Sequence, residues 1–480
     1  MFDGNIKGSS LPIVLVLLAI MLILVITLVS VVDFDTKTAE NIIDHEIALD
    51  VAEAGFNKYL YMLNNNTYFY KDGENEEEGF IIKERYSGAD NPEWNGYVKT
   101  YEPVVYKSGN RILGYFEITI TPPAIGTPVL GIQSTGWTAD RKAKRTIYVE
   151  VHKRTFTDYL LFENSKNESV PFSSQSKIKG PYFTNGDLHA LSGAEFFDTV
   201  GYAGRNRATG AIFRKEGQPV KMNPLGLPTI NENLTKWARA ENGGYTFNKD
   251  TYILLNENKM NIRLKDETRQ TNVPYPESGV IYVKGDVYIS GVLDGRLTII
   301  SEKNIYICAK DPTVEEVSTQ KQYDQLYNYR GVTYKNQNIP VYNNMNVINP
   351  SDDMLGLVAK ENIIIHNRTN KWPQASKGSI NTTVIDIQIQ GALYCNSVTV
   401  QDFDYITNTD YGQIKYLGSR VVKEDSATGI VTQTIWGPKY GGYSSDNIYD
   451  YRMQYEAPPH FVEPVNAGWE VVTWKEINNN

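Results

Sequence analysis

The stretch Gly8–Val32, GSSLPIVLVLLAIMLILVITLVSVV, decides how the rest of this chain is read. No charge stands between Lys7 and Asp33, and from Leu11 onward only Pro12, Thr27 and Ser30 interrupt the apolar run. A helix rises about 1.5 Å per residue, so Leu11 to Val32 spans roughly 33 Å, close to the thickness of a bilayer's hydrocarbon core. Ser9 or Ser10 serves as N-cap, and Pro12 falls in the first turn, where its missing N–H costs nothing. A secretory signal has an apolar core of about 7 to 15 residues and then a small-residue cleavage site. Here the run is longer and DFDTKTAENII follows it, so the span is expected to stay as an anchor. Lys7 before it and Asp33 and Asp35 after it favour a cytoplasmic N-terminus and an ectodomain outside the cell membrane.

Helical periodicity continues past the span, from 33 to 66. Ala48, Ala52, Gly55, Phe56, Tyr59, Leu60 and Leu63 recur at three- and four-residue steps, while Glu40, Asp44, Asp50 and Glu53 mostly take other faces. The sequence therefore predicts one rod, apolar all round in its first half and amphipathic in its second.

That rod, with KGSSLPIVLVLL at its start and ALDVAEAGFNKYLYML at its end, resembles the N-terminal region of type IV minor pilins of the PilX kind over Lys7 to Leu63. The resemblance implies a leader, 1–8, that a prepilin peptidase removes between Gly8 and Ser9, and a transmembrane helix, 9–32, that packs against other pilin-type helices. Major pilins carry a glutamate five residues into the mature chain. The matching residue here is Ile13, which argues against a repeating filament subunit.

The remaining composition is that of a folded protein: 480 residues, 41% hydrophobic and 21% charged, enough for two or three domains. Tyrosines number 33 against 16 phenylalanines, which suits strands with one wetted face. A net charge of -9 gives no general attraction to nucleic acid. Cys308 and Cys395 leave two options open, one bridge or two buried thiols.

After a polar loop, Asn64 to Gly79, strand-like segments begin near Gly96, Ile112, Pro128 and Lys144. The sequence predicts a pilin-like antiparallel sheet over 67–155, with the helix face from Ala52 to Leu63 lying against it. From 156 to 433 short apolar strands alternate with Gly, Asn and Asp. SEKNIYICA from Ser301 nearly repeats as AKENIIIHN from Ala359, and strands starting at Val287, Leu297 and Ile305 stand ten and eight residues apart. Such strands suit a β-solenoid, with a β-sandwich as the alternative fold. The same stretch, roughly Phe156 to Trp474, resembles the β-rich ectodomain that follows PilX-type N-termini in other bacterial proteins. An insertion at 311–354 and the stretch Ile435 to Val462, within a Tyr-rich C-terminal segment at 434–480, read as long loops.

Candidate contact residues are Tyr440, Tyr443, Tyr449, Tyr451 and Tyr455, whose amphipathic rings suit a glycan or protein surface. Catalysis has little support: His45, His152, His189, His366 and His460 show no metal spacing, and no nucleophile motif occurs. No cofactor or metal is expected. Asp446 with Asp450, or Asp402 with Asp404, offers paired carboxylates for a surface polysaccharide enzyme, which is one rival reading. The other is a DNA-uptake pilin, for which Arg141, Lys142, Lys144, Arg145, Lys153 and Arg154 would have to face outward together. The reading carried forward is a membrane-anchored minor pilin or pilin-like surface protein that works in pilus assembly or adhesion.

Overall fold

In the computed structural model of the protein, the residues described are 11–86, 97–123, 129–165, 171–174, 176–230, 232–314, 316–317, 331–347, 349–365, 374–375, 386–401, 410–434, 437–465 and 468–477. One helix, α1, runs unbroken from Leu11 to Asn65. Its first half is exposed all round, from Leu11 through Val32. The hydroxyls in this half bond back one turn, Thr27 Oγ1 to the Ile23 carbonyl at 2.8 Å and Ser30 Oγ to the Ile26 carbonyl at 2.9 Å. Each polar group is thus satisfied within the helix, as a hydrocarbon environment requires. By length and composition this half is apolar enough to cross a membrane once.

The second half of α1 buries Ala48, Val51, Ala52, Gly55, Phe56, Tyr59, Met62 and Leu63. They lie under an antiparallel sheet of β1 (Ile82–Tyr86), β2 (Val98–Tyr101), β3 (Val104–Ser108), β4 (Arg111–Thr121), β5 (Leu130–Thr138) and β6 (Lys144–Lys153). The pairing order is β1-β2-β4-β5-β6, with β3 beside β4. Small residues let helix and sheet approach closely. A Cβ on Gly136 would sit 2.2 Å from the Ala48 carbonyl oxygen, and Ser134 Oγ donates to the Ala52 carbonyl at 2.6 Å. Above this contact Tyr59, Phe69, Phe80 and Tyr101 form an aromatic cluster, with centroids 5.3 Å apart for Phe80 and Tyr101.

The sheet has one more strand. Trp469–Ile477 runs antiparallel beside β6, with Trp469 opposite Lys153 and Ile477 opposite Thr146. The basic strand β6 is therefore interior to the sheet.

Beyond Thr155 the strands pair mainly in parallel and in register. Down one column Tyr245 pairs with Ile281, Ile281 with Ile299, Ile299 with Leu357, Leu357 with Leu393 and Leu393 with Arg420. Arg420 then pairs with Leu161, Leu161 with Tyr182 and Tyr182 with Val200. The order along the stack is thus a cyclic permutation of the order in sequence. Residues 222–230 and 232–244 bring the chain back from the last level to the first, tied by Asn185 Nδ2 to the Leu225 carbonyl (2.7 Å), Tyr394 Oη to the Pro228 carbonyl (2.8 Å) and Thr246 Oγ1 to the Ala238 carbonyl (2.8 Å).

The repeated pieces stack on each other, Ile305 opposite Ile363 and Ile307 opposite Ile365. Val287 pairs with Ile305, so the spacings of ten and eight add up to one level. The residue before each strand explains the recurring Asn. Asp250 Oδ1 accepts the Asp286 N–H (3.0 Å), Asp286 Oδ1 the Asn304 N–H (3.0 Å) and Asn304 Oδ1 the Asn362 N–H (3.2 Å). Inward side chains such as Ile289, Ile299, Ile307 and Leu357 are fully buried.

Two expected loops are strand-built in part. Within 311–354, Gly331–Tyr334 pairs in parallel at Gly331–Gln388. Within 434–480, Gly437–Tyr449 pairs with Gly429–Thr434 and with Asp410–Glu424, then Tyr451–Gln454 forms a 3-10 turn before the return to the first sheet. Local polarity suggested loops, but backbone groups at these depths need ladder partners.

Candidate functional site

Gly8 and Ser9, the expected processing site, lie outside the described residues. Ile13 stands on the exposed helix half. Ala48, Ala52, Gly55, Phe56, Tyr59 and Leu63, expected to pack the helix, are all buried under the sheet. Two molecular surfaces follow from α1 alone: an apolar rod with nothing covering it, and a head seated on the rod's continuation.

The tyrosines expected to make contacts are placed differently. Tyr443, Tyr449, Tyr451 and Tyr455 are buried, and Tyr440 lies in the strand Gly437–Tyr449 with its side chain outside the description. Tyr449 Oη donates to the Thr157 carbonyl at 2.5 Å, and Tyr451 Oη to Asp198 Oδ2 at 2.9 Å. Burial, with the Asp198 carboxylate adding to it, pushes the Tyr451 hydroxyl well above its usual range. Tyr455 meets Tyr70 of the head through its carbonyl, Tyr443 packs on Tyr411 within the stack, and all four rings expose little surface to a partner. The hydroxyls of Tyr449 and Tyr451 satisfy a buried carbonyl and a carboxylate, which sequence periodicity does not reveal.

The joint is polar as well. Glu456 receives Lys71 from the head at 2.9 Å and Arg296 from the stack at 2.7 Å, and Lys153 meets Glu463 at 2.7 Å. Two open clefts flank it. One, of about 780 Å³, lies between residues 228–237 and Glu456–Glu463, with His460 stacked on Trp237 at 4.2 Å. Burial and nearby Lys236 hold the His460 imidazole below its usual value. The second, of about 690 Å³, is walled by four segments: His152 to Tyr159, the outer levels from Pro181 to Met222, Tyr342 to Met345, and Tyr451 to Gln454. Neither cleft was legible in the sequence, because its walls run from Tyr68 to Glu463 in the first and from His152 to Gln454 in the second.

The basic residues near β6 do not form one outward face. Lys142 pairs with Asp140 (2.9 Å) and Arg145 with Glu476. Arg141 lies over Tyr115 at 4.7 Å and Lys144 over Trp137 at 5.7 Å. Of the six, Arg154 lines the cleft of about 690 Å³, and Lys153 lines a smaller pocket beside Trp469.

The carboxylates considered for catalysis are not paired with each other. Asp446 binds Lys179 at 2.9 Å, whereas Asp450 is fully buried against Arg452 at 2.6 Å. Asp402, Asp404 and His366 fall outside the described residues. Among the described residues no three His, Cys, Asp or Glu side chains gather where they would hold a metal ion. Cys308 and Cys395 are separate free thiols, both buried, and burial pushes each up to about 12.

No family model matches the chain, and no curated protein matches it. Among solved structures, the crystal structure of the competence-associated pilin ComZ from Thermus thermophilus is similar over 90% of this chain and 97% of that one, at 11% identity and a TM-score of 0.28. A TM-score of that size does not equate the two folds.

Proposed function

We propose that the chain is a membrane-anchored, pilin-like surface protein of the minor-pilin kind, whose exposed helix packs with other pilin-type helices while its β-rich ectodomain serves assembly or adhesion. One observation carries the reading: a single helix whose residues 11–32 are exposed all round and whose residues 48–63 are seated beneath an antiparallel sheet. A helix apolar on every side is stable only in lipid or among other apolar helices. Prepilin peptidase is the expected processing enzyme, acting between Gly8 and Ser9.

The parallel stack reads as a β-solenoid in this proposal. Ile281 pairs directly with Ile299 and Tyr182 with Val200, each in parallel and 18 residues on; the other levels step by more residues, but a parallel in-register step of this kind favours stacked turns. A two-sheet sandwich is built of antiparallel neighbours and lacks such a step.

The test is the mature N-terminus of the protein from membranes of cells with and without the peptidase. Ser9 is expected as the first residue in the former and Met1 in the latter. Met1 in both, or the protein in the soluble fraction, would overturn the reading. Cysteines placed at Ile20 and Val25 are expected to cross-link to another pilin-type helix in intact cells.

A further inference from the structure

The cleft of about 690 Å³ beside the joint is lined by His152, Arg154 and Lys215, and two of them meet carboxylates within it. His152 pairs with Asp158 at 3.1 Å, and Lys215 with Asp198 at 3.0 Å. Arg154 differs, for it has no carboxylate partner among the described residues. Its Nη1 donates to the Asn223 carbonyl at 3.2 Å and its Nη2 to the Tyr159 hydroxyl at 3.3 Å, while Nε is buried with no acceptor. The guanidinium lies over the Phe183 ring at 5.1 Å, and each Nη keeps a second N–H with which to receive an anion. Tyr342 also lines the cleft, half-buried and braced edge-on by Phe197 at 5.8 Å.

We infer that this cleft binds an acidic saccharide, a chain containing uronate units, with Arg154 receiving a carboxylate and Tyr342 the apolar face of a sugar ring. An arginine fork matches a carboxylate with two parallel hydrogen bonds, and tyrosine offers a flat face with a polar rim. A cleft of this volume suits a small ligand, and clefts between domains are common places for one. The inference gives the adhesion reading a ligand class and rests on it only for biological use, because binding is measurable apart from anchoring.

The probes are α-1,4-trigalacturonate and its methyl ester, which has the same shape without the charge, titrated into the full chain in lipid nanodiscs. The acid is expected to bind, and the ester to bind roughly tenfold more weakly, the size of a lost charged hydrogen bond. Arg154→Gln is expected to erase the preference for the acid. Tyr342→Ala should weaken both probes equally, and it keeps the test open if Arg154→Gln does not fold. Lys177→Gln, an exposed charge outside the cleft, should change nothing. Equal binding of acid and ester by the unaltered chain, an intact preference in Arg154→Gln, or a Lys177→Gln loss as large as that of Arg154→Gln overturns the inference. So does absence of binding at millimolar probe, and if the chain is then still membrane-bound with a processed N-terminus, the anchor reading stands by itself.

Discussion

Arg452 and Asp450 are 1% and 0% exposed and joined at 2.9 Å through Nε and 2.6 Å through Nη2, with the Arg452 Nη1 also reaching the Ser351 carbonyl. Removing one member of such a pair leaves the other charged and buried, at a cost of ~3–5 kcal/mol, whereas removing both is often nearly neutral. Arg452→Met should therefore lower the melting temperature sharply, and adding Asp450→Leu should recover most of the loss, as read by thermal unfolding of the solubilised chain. An Asp450 role in catalysis would predict the opposite emphasis, lost turnover with little loss of stability. From sequence, Asp446 and Asp450 looked equivalent, since four residues of spacing say nothing about which one faces a buried guanidinium.

At the scale of elements, α1 and the sheet meet through glycine and alanine. Adding a methyl at Gly136 puts carbon 2.2 Å from the Ala48 carbonyl oxygen and 2.5 Å from the Ala52 nitrogen, both backbone atoms that no rotamer change can move. Overpacking of this kind costs ~1–3 kcal/mol. Gly136→Ala should destabilise the head in chemical unfolding monitored by tyrosine fluorescence. Ala at Gly109, where a Cβ meets nothing within 4 Å, would test the φ of 59° alone and serves as the milder comparison.

At the scale of the whole molecule, the chain closes on itself twice. Arg420 pairs with Leu161 to join the two runs of the stack, and Trp469–Ile477 completes the sheet that β1 opened. Segments so interlocked share their stabilising contacts, and cooperative unfolding is expected. Calorimetry of the full chain should show one transition. A stop after Val465 exposes β6 and should separate a weaker head transition from that of the stack; a single unchanged transition would show that the last strand contributes nothing to the joint.

The sequence by itself determined the rod, its apolar half, the face that seats the head and four of the strands above it, because these depend on period and composition within short windows. Local signals also gave the recurring Asn-Ile-X-Ile unit, whose two copies lie one on the other at Ile305 and Ile363. What tertiary structure decided is everything set by partners far along the chain. The tyrosines 443, 449, 451 and 455 read as contact residues until Thr157, Asp198 and their neighbours enclosed them. The last strand belongs to the first sheet, and the level that follows Arg420 begins at Leu161. Hydrophobic period fixes which face of a strand is buried, but the identity of the neighbouring strand is chosen by long-range hydrogen bonding and packing, to which a local pattern is blind.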